Sequence, residues 1–245
     1  MTQHVLLNNV QHQHIKVINQ FNAQYGDNVT SVMAFPTEFV ELQKEYPIMF
    51  RRNAETEKYQ AVALLGIQKD ENLYLDESLD SGWAGHYIPA TLARGPFLIG
   101  FQTQQENGET QKVPVIHIDV DHPKVNEQKG RALFLEHGGN SPYLEHVSTL
   151  LKVMHQGIAV NDAMFAAFNE VELIEPVNIE IDLDSGEKHR LVGNYTINEN
   201  KLQSLNAEQL AKLHKAGFLQ LAFSVVASMS NIRKLIEMKN RRDRG

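Results

Sequence analysis

The chain contains no cysteine. That absence excludes disulfides, thiolate nucleophiles and every zinc or iron–sulfur site built on Cys ligands. Long apolar runs are missing too. The longest, Phe218 to Val226, is interrupted by Gln220 and Ser224, whereas a membrane span needs about 20 apolar residues. The first 25 residues hold no apolar segment of the signal-peptide kind, so the expected location is cytoplasmic. Positive charge is scarce outside the C-terminus. With 23 Lys/Arg against 30 Asp/Glu the net charge is −7, yet the last fourteen residues carry six Lys/Arg and two Asp/Glu, so the tail is +4 and the remainder −11. An acidic body lacks the positive footprint of a general nucleic-acid binder. No Walker A sequence, dinucleotide fingerprint or Gly-x-Ser-x-Gly elbow occurs.

What is present is an ordinary globular composition, 42% hydrophobic and 22% charged over 245 residues. No internal repeat or Pro/Gly/Ser-rich linker divides it, so a single domain over 1–245 is expected. Phe35, Phe39, Leu42 and Tyr46 recur at helical spacing, predicting a helix from Pro36 to Tyr46 that Pro47 stops. Strands are predicted at 47–52, 59–67, 72–75, 97–101 and 113–120, with Gln102 to Lys112 as a hairpin loop. Ser141-Pro142 opens a long helix that Gly157 is expected to break or bend. Val177, Ile179, Ile181 and Leu183 alternate with Asn178, Glu180 and Asp182, marking a half-buried strand from about 171 to 183. It turns at Asp184-Ser185-Gly186 and returns over 188–197. Asn206 and Gln209 have capping-box spacing. Residues 218–240 read as one apolar helix, and its apolar face makes a homo-oligomer, such as a dimer, the expected state. The fold class is therefore α+β, a mostly antiparallel or mixed sheet core with packed helices and a helical C-terminus.

Two constellations carry possible chemistry. Trp83, Tyr87, Arg94 and Phe97 could line an aromatic pocket whose one cation suits a carboxylate-bearing ligand; the structural alternative is that the rings fill the core and Arg94 meets an internal acceptor. His117 and Asp119, two apart on a strand, share a face. With a distal His, for which His189 is the candidate, they would make the two-His, one-carboxylate set of non-haem Fe(II) oxygenases, and Asp121 and His122 could add ligands. The alternative there is a polar strand face running into a turn. His137-Gly138-Gly139-Asn140 resembles an esterase oxyanion loop, but without a nucleophile elbow it reads as a turn.

Several segments together are similar to the bacterial SapC family. They are Glu38-Phe39, Tyr46-Pro47-Ile48-Met49-Phe50, Ala63-Leu64-Leu65-Gly66, Glu71-Asn72-Leu73-Tyr74-Leu75, Trp83, Tyr87-Ile88-Pro89-Ala90, Arg94-Gly95-Pro96-Phe97, Leu191 to Tyr195, and Gly217 to Ser228. The resemblance spans nearly the whole chain. It departs at Ala93-Arg94, where the family usually has adjacent arginines. The family name implies a surface-layer role. SapC-like chains are also encoded near TonB-dependent outer-membrane receptors, flavin-dependent halogenase-like proteins and cupin-like oxygenases. That implies an accessory role in nutrient uptake or in modification of a peptide or substrate. The resemblance supplies no catalytic residues. The resulting expectation is a non-catalytic accessory or binding protein without a cofactor. Its partner would be a protein, a peptide or a small carboxylate-bearing ligand. An Fe(II) oxygenase-like enzyme and a surface-layer component are the alternatives.

Overall fold

The computed structural model describes residues 3–106 and 109–244. The chain runs β1 (His4–Leu6), β2 (Lys16–Val17), β3 (Ser31–Met33), α1 (Phe39–Leu42), β4 (Ile48–Arg52), β5 (Tyr59–Leu64), α2 (Ala90–Ala93), β6 (Phe97–Glu106) and β7 (Glu109–Asp119). It continues with β8 (Val125–Asn126), β9 (Arg131–Ala132), α3 (Pro142–Glu170), β10 (Ile174–Asp182), β11 (Lys188–Ile197), α4 (Glu199–Gln203), α5 (Ala207–Lys215), α6 (Phe218–Ser228) and α7 (Asn231–Arg244). Five strands form one sheet in the order β10-β11-β4-β5-β3, and two three-stranded sheets follow the orders β1-β7-β6 and β8-β2-β9. Every strand pair is antiparallel. The fold is α+β with a helical C-terminus, as the strand alternation and the apolar helix pattern indicate.

Apolar residues gather in two clusters. The larger packs β4, β5 and β11 against α1, α6, α7 and the C-terminal part of α3, with Phe39, Tyr46, Phe50, Tyr74 and Phe168 fully buried. The smaller joins Phe97 and Ile118 of the β6–β7 hairpin to Leu144, Val147, Leu151 and Met154 of α3. Because α3 reaches both clusters, one 29-residue helix ties the two sheets together.

The structure revises several local expectations. The helix over 36–46 shrinks to a 3-10 turn, Pro36–Glu38, and the single turn of α1. The strand at 72–75 is a turn, because the Asn72 side chain accepts from Tyr74 N (3.0 Å) and donates to the Asp27 carbonyl (2.8 Å). Of the loop expected over 102–112, residues 102–106 and 109–112 instead prolong the two strands of the β6–β7 hairpin, and 107–108 lie outside the described residues. Gly157 does not break α3. A Cβ there would stand 2.7 Å from Phe35 Cβ and 2.8 Å from Thr37 Oγ1, so the glycine admits the 3-10 turn onto the helix. The final helix divides at 229–230. Ser228 Oγ accepts from Ile48 N (2.9 Å) and donates to the Val225 carbonyl (2.6 Å), while Asn231 Nδ2 donates to the Gln43 carbonyl (2.8 Å). Side chains that bond to β4 and the α1 turn thus compete with a continuous helix. The face expected to pair two copies, with Leu221, Val225, Met229, Ile232 and Leu235, packs into the larger cluster of the same chain. Among the described residues no helix is long and apolar enough to cross a membrane.

Candidate functional site

Three of the four proposed pocket residues belong to the framework. Trp83 is buried, stacks on Tyr74 with ring centroids 5.6 Å apart, meets Phe21 edge-on, and donates from Nε1 to the Tyr46 hydroxyl at 3.2 Å. Tyr87 donates its hydroxyl to Glu38 Oε2 at 2.8 Å, and its carbonyl accepts from the Tyr46 hydroxyl. Two buried carboxylates clip this loop down. Glu38 also accepts from Phe35 N (3.0 Å) and Ala90 N (2.9 Å), and Glu45 accepts from His86 N and Tyr87 N (3.0 Å each). Burial pushes the Glu38 carboxyl up, against the pull of its three donors. Phe97 is fully buried in the smaller cluster and meets Tyr143 edge-on.

Arg94 alone reaches a cavity. Its position follows from a short helix: Pro89 starts α2, Arg94 caps it, and Gly95 at φ +52° ends it. One guanidinium nitrogen donates to the Phe97 carbonyl at 2.9 Å. Burial pushes its pKa down, but a guanidinium stays charged. The cavity, about 350 Å³, is also lined by Tyr25, Asp27, Val29, Val32, Leu92, His122 and Lys124. Trp83, Tyr87 and Phe97 do not line it.

Tyr25, Gly26 and Asp27 reach the cavity from a loop that runs from Asn22 to Asp27. Asn22 caps a 3-10 turn by accepting from Gln24 N (3.0 Å), Gly26 at φ +83° ends it, and Asp27 Oδ2 accepts back from Asn22 N (3.0 Å). Lys124 Nζ pairs with both Asp27 oxygens, at 3.0 and 2.9 Å, and lies 4.2 Å from the centre of the Phe21 ring. Burial pushes Lys124 down while Asp27 pulls it up. This ion pair is almost fully shielded, so each charge needs the other. His122 Nδ1 accepts from Lys124 N at 3.1 Å, which leaves the proton on Nε2 in the neutral ring. Burial, reinforced by the Lys124 charge, lowers the His122 pKa from 6.5. The ring is therefore a neutral donor at pH 7. The lining consequently includes the Arg94 cation and a neutral His122, while its one carboxylate, Asp27, is already bound.

The expected metal residues are distributed otherwise. His117 and Asp119 lie on β7, with the His117 ring across Gly100 of β6, where an added Cβ would come within 3.0 Å of Nε2. Asp119 accepts from Gln3 N (3.1 Å) and Asp121 N (3.2 Å). His189 is on β11 of the five-stranded sheet, 3.3 Å from Gln68 Nε2 and 3.6 Å from Glu187. Among the described residues no group of three or more His, Asp or Glu is placed to hold a metal ion. His137 to Asn140 form a turn, with Gly138 and Gly139 at φ +89° and +87° and Leu135 N donating to the Gly139 carbonyl.

Two other clefts are larger. One of about 570 Å³ lies beside α7, where the Arg242 guanidinium is occupied by the carbonyls of Asn72, Leu73 and Leu75. The other, about 560 Å³, adjoins the small sheet. In the sequence only the Asn-x-x-x-Gly-Asp turn over 22–27 marks Tyr25 and Asp27, and Lys124, a lysine in the charged stretch 121–129, looks solvated until the fold buries it.

These features define an α+β protein with two buried carboxylate clamps and a small donor-lined cavity. The SapC family model matches residues 7–235, and the chain belongs to the SapC family. No curated protein and no solved structure matches it.

Proposed function

We propose that the chain is a non-catalytic accessory protein that binds a small carboxylate-bearing ligand at Arg94, in service of a nutrient-uptake or substrate-modification system. One observation carries the reading. Arg94 lines a cavity of about 350 Å³, and among the described residues its charge is met only by a backbone carbonyl. A desolvated guanidinium with spare donors recognises a carboxylate in a forked geometry. The His122 N–H supplies a further donor, and Val29, Val32 and Leu92 supply an apolar wall. A donor-rich, acceptor-poor surface favours the ionised acid over its ester or amide. The same features argue against acid–base chemistry in the cavity, since the Asp27 carboxylate is engaged by Lys124 and His122 Nδ1 by a backbone N–H.

Calorimetric titration with acetate, butyrate and phenylacetate, each beside its methyl ester, tests this. Saturable binding of the acids and none of the esters is expected, strongest for phenylacetate, with a Kd on the order of 1 mM or tighter. Equal heats from acid and ester would overturn the reading.

A further inference from the structure

We infer that the carboxylate belongs to the C-terminus of an acidic peptide, whose acidic side chains lie in the neighbouring cleft over Lys129 and Arg131; this rests on the carboxylate reading of the Arg94 cavity. Tyr25 lines both the Arg94 cavity and the 560 Å³ cleft, so the two spaces adjoin at this residue. Lys129 and Arg131 line the outer cleft, are exposed, and belong to none of the ion pairs among the described residues. They also stand on a held turn. Asn126 Oδ1 accepts from Gln128 N (2.9 Å) and Lys129 N (2.6 Å), and Gly130 at φ +108° fits so closely that a Cβ would come within 2.3 Å of the Val17 carbonyl oxygen. Lys129 and Arg131 against Asp80 leave the outer cleft at +1; Arg94 and Lys124 against Asp27 leave the cavity at +1. This +2 site sits on a chain of net charge −7.

The two spaces together are too large for one small acid. An extended chain advances about 3.3 Å per residue, so a few residues running out past Tyr25 would bring acidic side chains over both outer cations. Charges of this kind set encounter and partner choice, and their contribution weakens with salt.

The test is fluorescence anisotropy with an N-terminally labelled hexapeptide carrying three Asp or Glu residues before a C-terminal Leu. Its C-terminal amide, its Asn/Gln counterpart and unlabelled phenylacetate as competitor complete the set. The acidic free-acid peptide should bind at least tenfold tighter than either control and be displaced by phenylacetate. Lys129→Glu with Arg131→Glu should weaken the peptide at least tenfold, leave phenylacetate binding unchanged, and leave the melting temperature unchanged because both side chains are exposed. If phenylacetate binds but all peptides bind alike, or the double variant has no effect on the peptide, the inference is overturned and the carboxylate site stands. If neither phenylacetate nor peptide binds, the underlying reading fails, and this one with it.

Discussion

Glu38 is 3% exposed, and three donors converge on its two oxygens: Tyr87 Oη, Ala90 N and Phe35 N. Burial outweighs those donors and raises its pKa from the ordinary 4.5. The folded state therefore holds the proton more tightly than the unfolded one. By linkage, the ionised carboxyl lowers stability progressively as pH rises from about 4.5 through the raised value. Glu38→Gln removes that dependence but presents an amide N–H₂ to a donor, at a cost of about 1–3 kcal/mol for the unmet group. Urea denaturation at pH 5 and pH 8 should show the wild type ahead at both, with the smaller lead at pH 8. A lead that widens at pH 8 would show that the donors, rather than burial, set the Glu38 pKa.

At the scale of elements, the same chain shows what a sequence discloses. Ser141-Pro142, the Asn206–Gln209 capping box and the alternation over 177–183 act within a few residues of where they are written, and all three take the predicted form. The role of Gly157 and the helix break at 229–230 are not legible locally, because their causes are distant in sequence, in Phe35, Ile48 and Gln43. The site divides in the same way. Arg94 was recognisable as a lone cation among aromatic residues. Its cavity depends on Asp27 meeting Lys124 across 97 positions, which no local pattern encodes. Gly157→Ala weighs two opposed effects. Helix propensity favours alanine by about 1 kcal/mol, while overpacking against Phe35 and Thr37 costs about 1–3 kcal/mol. Contacts of 2.7 and 2.8 Å, one of them to a Cβ that cannot swing away, favour the second effect. A net loss is expected in urea denaturation, and a gain would mean that the 3-10 turn yields easily.

Over the whole molecule, the charge imbalance read from the sequence becomes a seat for the last helix. Lys239 pairs with Glu71 (3.0 Å), Lys234 approaches Glu45 (3.4 Å), Arg244 pairs with Asp184, and Arg242 takes three carbonyls of the 72–75 turn. Four of the six cations of the basic tail are thus spent on the chain's own acidic body and backbone, whereas Arg94, Lys129 and Arg131 line cavities. Several polar and aromatic residues behind the SapC resemblance, Glu38, Tyr46, Asn72, Trp83, Tyr87 and Asn194, are buried or clamped. Two of them brace segments that carry cavity residues: Asn72 donates to the Asp27 carbonyl, and Glu38 accepts from Ala90 N at the start of α2, the helix that Arg94 caps. The most direct measurement is a phenylacetate titration of the wild type beside Arg94→Met, with thermal melts of both. The account predicts one saturable site, weakened at least tenfold by the substitution, because a charged hydrogen bond contributes about 1.5–3 kcal/mol, with little change in melting temperature. Binding that survives intact in Arg94→Met, or no binding to the wild type at all, would contradict it.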